Sequence, residues 1–192
     1  MSDPLLRLSA TSPDLSGELA GFLAGRAPRA GRCRVFAIEG RSGAGKTRLA
    51  AELSRRTGWP VVHMDDIYPG WEGLAGSVPL VRHWIVAPLM RGGLPRWRRY
   101  DWQRGEYGPW EETPVGRELI VEGCGCGARE LRPYLAALVW VDADARVRAE
   151  RLDARFDAAV YAPYRSVWAR QEERFHVEHC PRGHADVVVD NS

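Results

Sequence analysis

Lysine is all but absent. Of the 27 basic residues in this 192-residue chain, one is lysine, Lys46, and the other 26 are arginine. Apolar runs long enough to span a bilayer are also missing: Ala136–Val141 is typical of the longest. A net charge of +2 sets up no field that would favour nucleic acid or a membrane surface as a partner. The start carries Asp3 and early prolines where a secretory leader would have a basic end and an apolar stretch. A cytoplasmic protein is the expectation. The four cysteines (Cys33, Cys124, Cys126, Cys180) then read as thiols. Cys124 and Cys126 stand too close together for a zinc knuckle. His176, His179, Cys180 and His184 lack a recognisable second ligand pair. The end of an exposed helix is the plainer reading of that cluster, and metal binding there stays open.

What is present suits one domain. Its length suffices to bury one core, and 45% apolar with 27% charged residues is ordinary globular composition. Short apolar runs at Cys33–Glu39, Pro60–Met64, Leu119–Val121, Leu138–Val141 and Ala185–Val189 read as buried strands. Helical patterns fall at Ser12–Leu23, Gly45–Thr57, Val78–Arg91, Ala145–Phe156 and Tyr161–His179. Asp66–Ser77 carries turn signals, Arg96–Tyr100 suggests a short strand and Gln103–Thr113 a loop. Strands alternating with helices and no hairpin turns predict an α/β, three-layer P-loop NTPase sandwich with a parallel sheet of about five strands. Residues 1–192 form one domain in this reading, with an N-terminal helix and loop over 1–31 and a lid near 145–165.

The sole lysine lies within Gly40-Arg41-Ser42-Gly43-Ala44-Gly45-Lys46-Thr47, which fits G-x-x-x-x-G-K-[ST]. Glycines let successive backbone N–H groups face one anion, and the helix that follows aims its positive end at it. Lys46 would reach the β- and γ-phosphates of ATP, and Thr47 would offer its hydroxyl to Mg²⁺. Arg48, next in the chain, joins the expected ATP contacts. Chance placement of the one lysine between these glycines and a threonine is on the order of one in a thousand.

Three further features point beyond nucleotide binding. Asp65, in His63-Met64-Asp65-Asp66-Ile67-Tyr68, ends the second strand and would face the γ-phosphate from the acceptor side. A hydroxyl acceptor needs such a base to orient it and take its proton; a turn or cap aspartate is the alternative. Glu122 ends the strand Leu119–Val121, where a carboxylate can support Mg²⁺ or merely be exposed. Arg148, Arg151 and Arg155 share one helix face. They would close over the phosphates, or pair with Glu150, Asp153 and Asp157 as a solvated face. No Asp-x-x-Gly switch follows the phosphate loop and no Asn-Lys-x-Asp motif occurs, which argues against a regulatory GTPase.

From about Arg34 to Asn191 the chain resembles the uridine kinase-like P-loop kinases, particularly short bacterial members. The resemblance rests on Ile38–Thr47, Asp65–Tyr68, Arg99-Tyr100-Asp101, Val121–Gly123, Val141-Asp142 and Ala185–Asn191, in that order. It implies an ATP-dependent kinase with a small-molecule acceptor, with Asp65 as base and Tyr68 and Tyr100 against a nucleoside. Arg151 and Arg155 would belong to the lid, and Asp190-Asn191 would lie near the adenine. The family's ribose-binding segment has no clear match. Gly76–Trp84, which includes His83, is its nearest equivalent, and after Tyr100-Asp101 the usual His-Ser run is replaced by Trp102-Gln103-Arg104.

Six of the eight tryptophans (Trp59, Trp71, Trp84, Trp97, Trp102, Trp110), with Tyr68, Tyr100 and Tyr107, fall between the second strand and Glu122. One or two of the nine are expected to face the acceptor. Tyr161, Tyr164, Trp168, Gln171 and Phe175 follow helical spacing and read as packing. Cys124-Gly125-Cys126-Gly127 reads as a close backbone approach. The leading expectation is a kinase for a hydroxyl of a nucleoside-like molecule. A kinase for a sugar, vitamin precursor or secondary metabolite, and a regulatory ATPase that transfers nothing, remain as alternatives. A monomer and a homodimer are equally compatible with the sequence.

Overall fold

The computed structural model describes residues 4–155 and 157–192; Asp3 and the expected helix end at Phe156 lie outside the described residues. Along the chain, β1 (Leu6–Ser9) and α1 (Leu15–Ala24) lead to β2 (Arg34–Glu39), the phosphate loop and α2 (Lys46–Thr57). Next come β3 (Val61–His63), α3 (Leu74–Val81), α4 (Ala87–Met90), β4 (Arg96–Asp101) and β5 (Glu106–Glu112). The rest is β6 (Glu118–Glu122), β7 (Leu135–Asp142), α5 (Ala145–Asp153), α6 (Ala158–Tyr161), α7 (Arg165–His179) and β8 (Val187–Asp190).

The main sheet is six-stranded, in the order β1-β8-β7-β2-β6-β3, and every pairing in it is parallel. Its strands are apolar on both faces because both faces are covered. Phe36 and Ile38 of β2 pack with Leu19, Leu23, Leu49 and Leu53 of α1 and α2. Val35 and Ala37 pack toward Leu74, Val78 and Phe175 of α3 and α7. The phosphate loop follows the central strand β2, so it opens at the carboxyl edge where ligands of such sheets bind. Among the described residues no helix is long and apolar enough to cross a membrane.

Several expected elements are corrected. The sheet has a sixth strand because Leu6–Ser9 runs beside β8, with Leu6 opposite Val187 and Leu8 opposite Val189. The loop expected over Gln103–Thr113 contains β5, which forms a hairpin with β4. The Asp101 carboxylate closes its turn by accepting the N–H groups of Gln103 (2.9 Å) and Arg104 (3.0 Å). The helix expected from Val78 begins four residues earlier, at Leu74. It passes into a π-helical turn over Arg82–Val86, where the Ala87 N–H reaches the Arg82 carbonyl. Pro88 has no N–H to give, and the wider spacing accommodates its ring. Pro163 likewise divides the helix expected over Tyr161–His179, placing a 3-10 turn between α6 and α7.

The histidine cluster is drawn apart. His176 lies edge-on to Trp140, His179 Nδ1 accepts the Arg129 N–H at 3.2 Å, and Cys180 Sγ donates to the Val177 carbonyl. Among the described residues no group of three or more His, Cys, Asp or Glu side chains is arranged to hold a metal ion.

Both ring nitrogens of His176 are buried without a partner. Burial, followed by the Arg41 charge, lowers its pKa from 6.5 to about 4. Its folded value therefore lies below the unfolded one, and between the two the unfolded chain holds the extra proton. Stability should fall as pH drops from 6.5 toward 4. In urea titrations at neutral and acid pH, His176→Leu should lose roughly 1–2 kcal/mol less on acidification than wild type. Parallel losses in the two proteins would refute this source of acid sensitivity.

Candidate active site

The loop between β2 and α2 is built on backbone that side chains would block. A Cβ at Gly43 would come within 2.6 Å of the Arg148 carbonyl oxygen, and one at Gly45 within 2.4 Å of Asn191 Nδ2. Both glycines have positive φ, and α2 starts at Lys46 directly behind them. Lys46 is buried, and its ammonium donates to the Arg41 carbonyl at 3.1 Å and the Cys124 sulfur at 3.5 Å. Burial alone would lower its pKa. Cys124 and the carboxylates of Glu172, Glu122 and Glu39 outweigh that effect and raise its pKa.

Neighbouring strand ends bring the acids together. Glu122 at the end of β6 sits opposite His63 at the end of β3. Its Oε1 accepts the Thr47 hydroxyl at 3.2 Å and lies 2.6 Å from His63 Nδ1. The Glu122 hydrogen bond raises the His63 pKa against the effect of burial. Asp65 and Asp66 occupy a 3-10 turn immediately after β3 and face different ways. Asp66 pairs with Arg99 of the hairpin. Asp65 opens into a cavity of about 480 Å³ with Lys46, Thr47 and Glu122. Desolvation by the cavity walls, then the Glu122 charge, raises the Asp65 pKa, while Lys46 and Arg155 oppose the rise.

A second cavity, of about 370 Å³, adjoins the first. Ser42, Asp65, Arg155, Asp157 and Trp168 line both, so Asp65 stands where they meet. The second has aromatic walls formed by Tyr68, Trp71, Trp102, Tyr161 and Trp168.

The sequence-derived residues divide accordingly. Ser42, Gly43, Gly45, Lys46 and Thr47 line the first cavity with Glu122, Arg151 and Arg155. Arg151 also ties the loop down, donating to the Asn191 carbonyl at 3.0 Å and the Gly43 carbonyl at 3.4 Å. Arg148 holds the Ser42 carbonyl at 3.4 Å. Asn191 donates to the Ala44 carbonyl at 2.6 Å and accepts from Arg48 at 3.1 Å, which fixes the chain end against the loop. The Gly40 carbonyl lies 3.3 Å from Cys124 Sγ, and Arg41 turns outward to Glu173. Of the residues expected to meet an acceptor, Tyr68 and Trp102 reach the aromatic cavity. Tyr100, Asp101 and His83 do not line either cavity. Tyr100 packs on Trp102 and Tyr107, Asp101 closes the hairpin turn, and His83 is exposed on the π-helical turn.

Other residues carry the site without a legible motif. Glu172 of α7 is buried, and its Oε1 accepts the Ser42 N–H (2.9 Å), the Ser42 hydroxyl (2.6 Å), the Trp168 indole N–H (3.2 Å) and the Cys124 thiol (3.0 Å). Burial pushes its pKa up, but Lys46 and these hydrogen bonds bring it below the ordinary carboxylate value. Glu39, fully buried at the end of β2, accepts the N–H groups of Gly40, Gly125 and Gly127. Burial raises its pKa to about 7 despite those bonds. Tyr161 and Trp168, expected to pack, do pack and also line the aromatic cavity. Of the nine aromatics considered, Tyr68, Trp71 and Trp102 line it.

Fold and loop together define a P-loop α/β domain. The chain matches the structure of a possible uridine kinase from Bacillus stearothermophilus with a TM-score of 0.66 and 22% identity, over 92% of this chain and 98% of that one. It also matches a candidate fructose transport system kinase from a Silicibacter species, with a TM-score of 0.60 and 20% identity, over 91% and 98% of the two chains. Likeness at these identities establishes a shared fold. The isopentenyl transferase family model matches residues 33–77, which hold β2, the phosphate loop, α2 and Asp65. No curated protein matches the chain by sequence.

Removing the Glu172 carboxylate should strand buried donors. In urea denaturation, Glu172→Ala should lose about 2–4 kcal/mol of stability and Glu172→Gln about half as much, since an amide oxygen still accepts. Equal, small losses in both variants would contradict the buried network.

Proposed function

We propose that this chain is an ATP-dependent kinase that transfers the γ-phosphate to a hydroxyl of a nucleoside-like small molecule. The observation that carries this reading is the meeting of the two cavities at Asp65, one bounded by the phosphate loop and the other by aromatic rings. A donor and an acceptor seated there would have their reacting atoms beside one carboxylate.

In this reading the loop N–H groups and Lys46 hold the β- and γ-phosphates. Thr47 and Glu122 suit Mg²⁺: they are hard oxygen donors 3.2 Å apart, one hydroxyl and one carboxylate, and Mg²⁺ commonly takes its remaining ligands from phosphate and water. When bound, the ion would neutralise charge between the β- and γ-phosphate oxygens. The Asp65 carboxylate orients the acceptor hydroxyl and takes its proton, and its raised pKa improves it as a base near neutral pH. Arg151 and Arg155, at the edge of the first cavity, offset charge on the phosphoryl group in flight. Arg155 is held in place by Asp157 at 2.8 and 2.7 Å.

The match over residues 33–77 favours a second reading, in which the same loop and Asp65 serve transfer of an isopentenyl group. Asp65→Asn tests the first: ATP affinity should stay within about twofold while transfer falls by roughly 10²–10⁴. Turnover close to wild type would remove Asp65 as the base. Product formation with a prenyl diphosphate donor, and none with ATP, would favour isopentenyl transfer.

A further inference from the structure

The wall of the aromatic cavity is rich in polar atoms that are already engaged. The Tyr68 hydroxyl donates to the Cys124 carbonyl at 2.7 Å. The Trp102 indole N–H donates to the Asp65 carbonyl at 3.0 Å, and the Trp168 indole N–H is held between Ser42 Oγ and Glu172. The Ser42 hydroxyl donates to Glu172. Arg155, assigned above to the phosphoryl group, spends its Nε and Nη2 on Asp157, the other charged group beside Asp65. Of the described residues lining this cavity, the Trp71 indole N–H, the Tyr161 hydroxyl, the Gln103 amide and the Asp65 carboxylate are left to meet a ligand, with Arg155 Nη1 on the phosphate side.

The rings meanwhile wall the cavity in two groups, and Tyr164 stacks on one face of Trp71 at 4.3 Å, leaving its other face. Trp71 lies 4.6 Å from Trp102 and 6.1 Å from Tyr161 between centroids, and Tyr68 meets Trp168 edge-on at 4.7 Å. Such walls offer faces to stack on and few hydrogen bonds. An acceptor with many hydroxyls would lose water from each on entry, and every one left unpaired would weaken binding by about tenfold or more. A flat ring loses little and gains stacking.

Resting on the kinase reading above, we infer that the acceptor is an uncharged, flat-ringed alcohol: the ring is recognised by Trp71, Trp102 and their neighbours, and a single hydroxyl is presented to Asp65. Sugar hydroxyls other than the reacting one are not read. A sugar or polyol without a ring system to stack is therefore not the acceptor, and a nucleoside is bound through its base.

Calorimetric titration of the full chain, with Mg²⁺ and a non-hydrolysable ATP analogue present, tests this with five probes: uridine, 2′,3′-dideoxyuridine, indole-3-ethanol, D-ribose and D-fructose. The two uridine compounds should bind within about threefold of one another, and both sugars at least 100-fold more weakly than the best ring alcohol. Trp102→Leu should weaken ring binding about tenfold or more, with ATP affinity unchanged. Trp71→Leu serves as the second variant should the first not fold. Tighter binding of either sugar, a preference of more than tenfold for uridine over its dideoxy form, or no binding of any ring alcohol would overturn the inference. ADP release in parallel assays with ATP separates the two ideas. Ring alcohols that bind but never accept phosphate sink the kinase and leave ring recognition standing; phosphorylation of fructose alone does the reverse.

Discussion

A single buried positive charge organises this protein. Lys46 is 8% exposed and is surrounded by three carboxylates that are themselves buried, Glu39, Glu122 and Glu172. An unpaired charge in such a place would be costly, and so would any one of the acids alone. Each acid also fastens a different segment. Glu39 holds the glycine loop after β6, Glu122 holds Thr47 and His63, and Glu172 holds Ser42 and Trp168. The ammonium thus draws the ends of β2 and β6 and the middle of α7 to one point. A compact ammonium on a flexible stem suits that point, and a planar guanidinium with five fixed donors does not.

The same arrangement accounts for the two-sided site. The phosphate loop is drawn tight from below by Arg148, Arg151 and Asn191, which bind the carbonyls of Ser42, Gly43 and Ala44. Taking up those carbonyls helps leave the loop N–H groups for an anion. On the far side, β3 ends one residue before a tight turn that aims Asp65 inward and Asp66 outward to Arg99. Trp168 then links the halves, since its ring walls the aromatic cavity and its N–H is held by the carboxylate that supports the loop. Close approach is essential throughout. A Cβ on Gly123 would lie 2.6 Å from Met64 Cβ, and β3 could not pack so near β6.

Contiguous signals were legible in the sequence and distributed ones were not. The phosphate loop is eight consecutive residues, Glu122 announces itself by ending an apolar strand, and Asp65 by following one in the turn after β3. Glu172 lies 130 residues from Ser42, on a helix whose aromatic spacing correctly indicates packing, so nothing local marks its carboxylate as part of the loop. Tyr161 and Trp168 give the same signal whether a ring faces the core or a cavity bordering it. Tyr100 and Asp101 resemble a family motif, yet here they serve the hairpin, because Asp101 caps its turn and Tyr100 packs across to Tyr107. That hairpin escaped notice because β5 reads Glu-Tyr-Gly-Pro-Trp-Glu-Glu, charged and interrupted by glycine and proline, without an apolar alternation. The edge strand β1 is four residues long, too short for a period to show.

Whether one lysine is indispensable in a chain that otherwise uses arginine is the question on which everything above turns. Lys46→Arg keeps the charge and changes only its shape, and calorimetric titration with ATP and Mg²⁺ reads the consequence directly. The buried ammonium described here predicts that the dissociation constant rises by about 100-fold. A value within threefold of wild type would mean that any cation suffices at this position, and the central role given to Lys46 would fall.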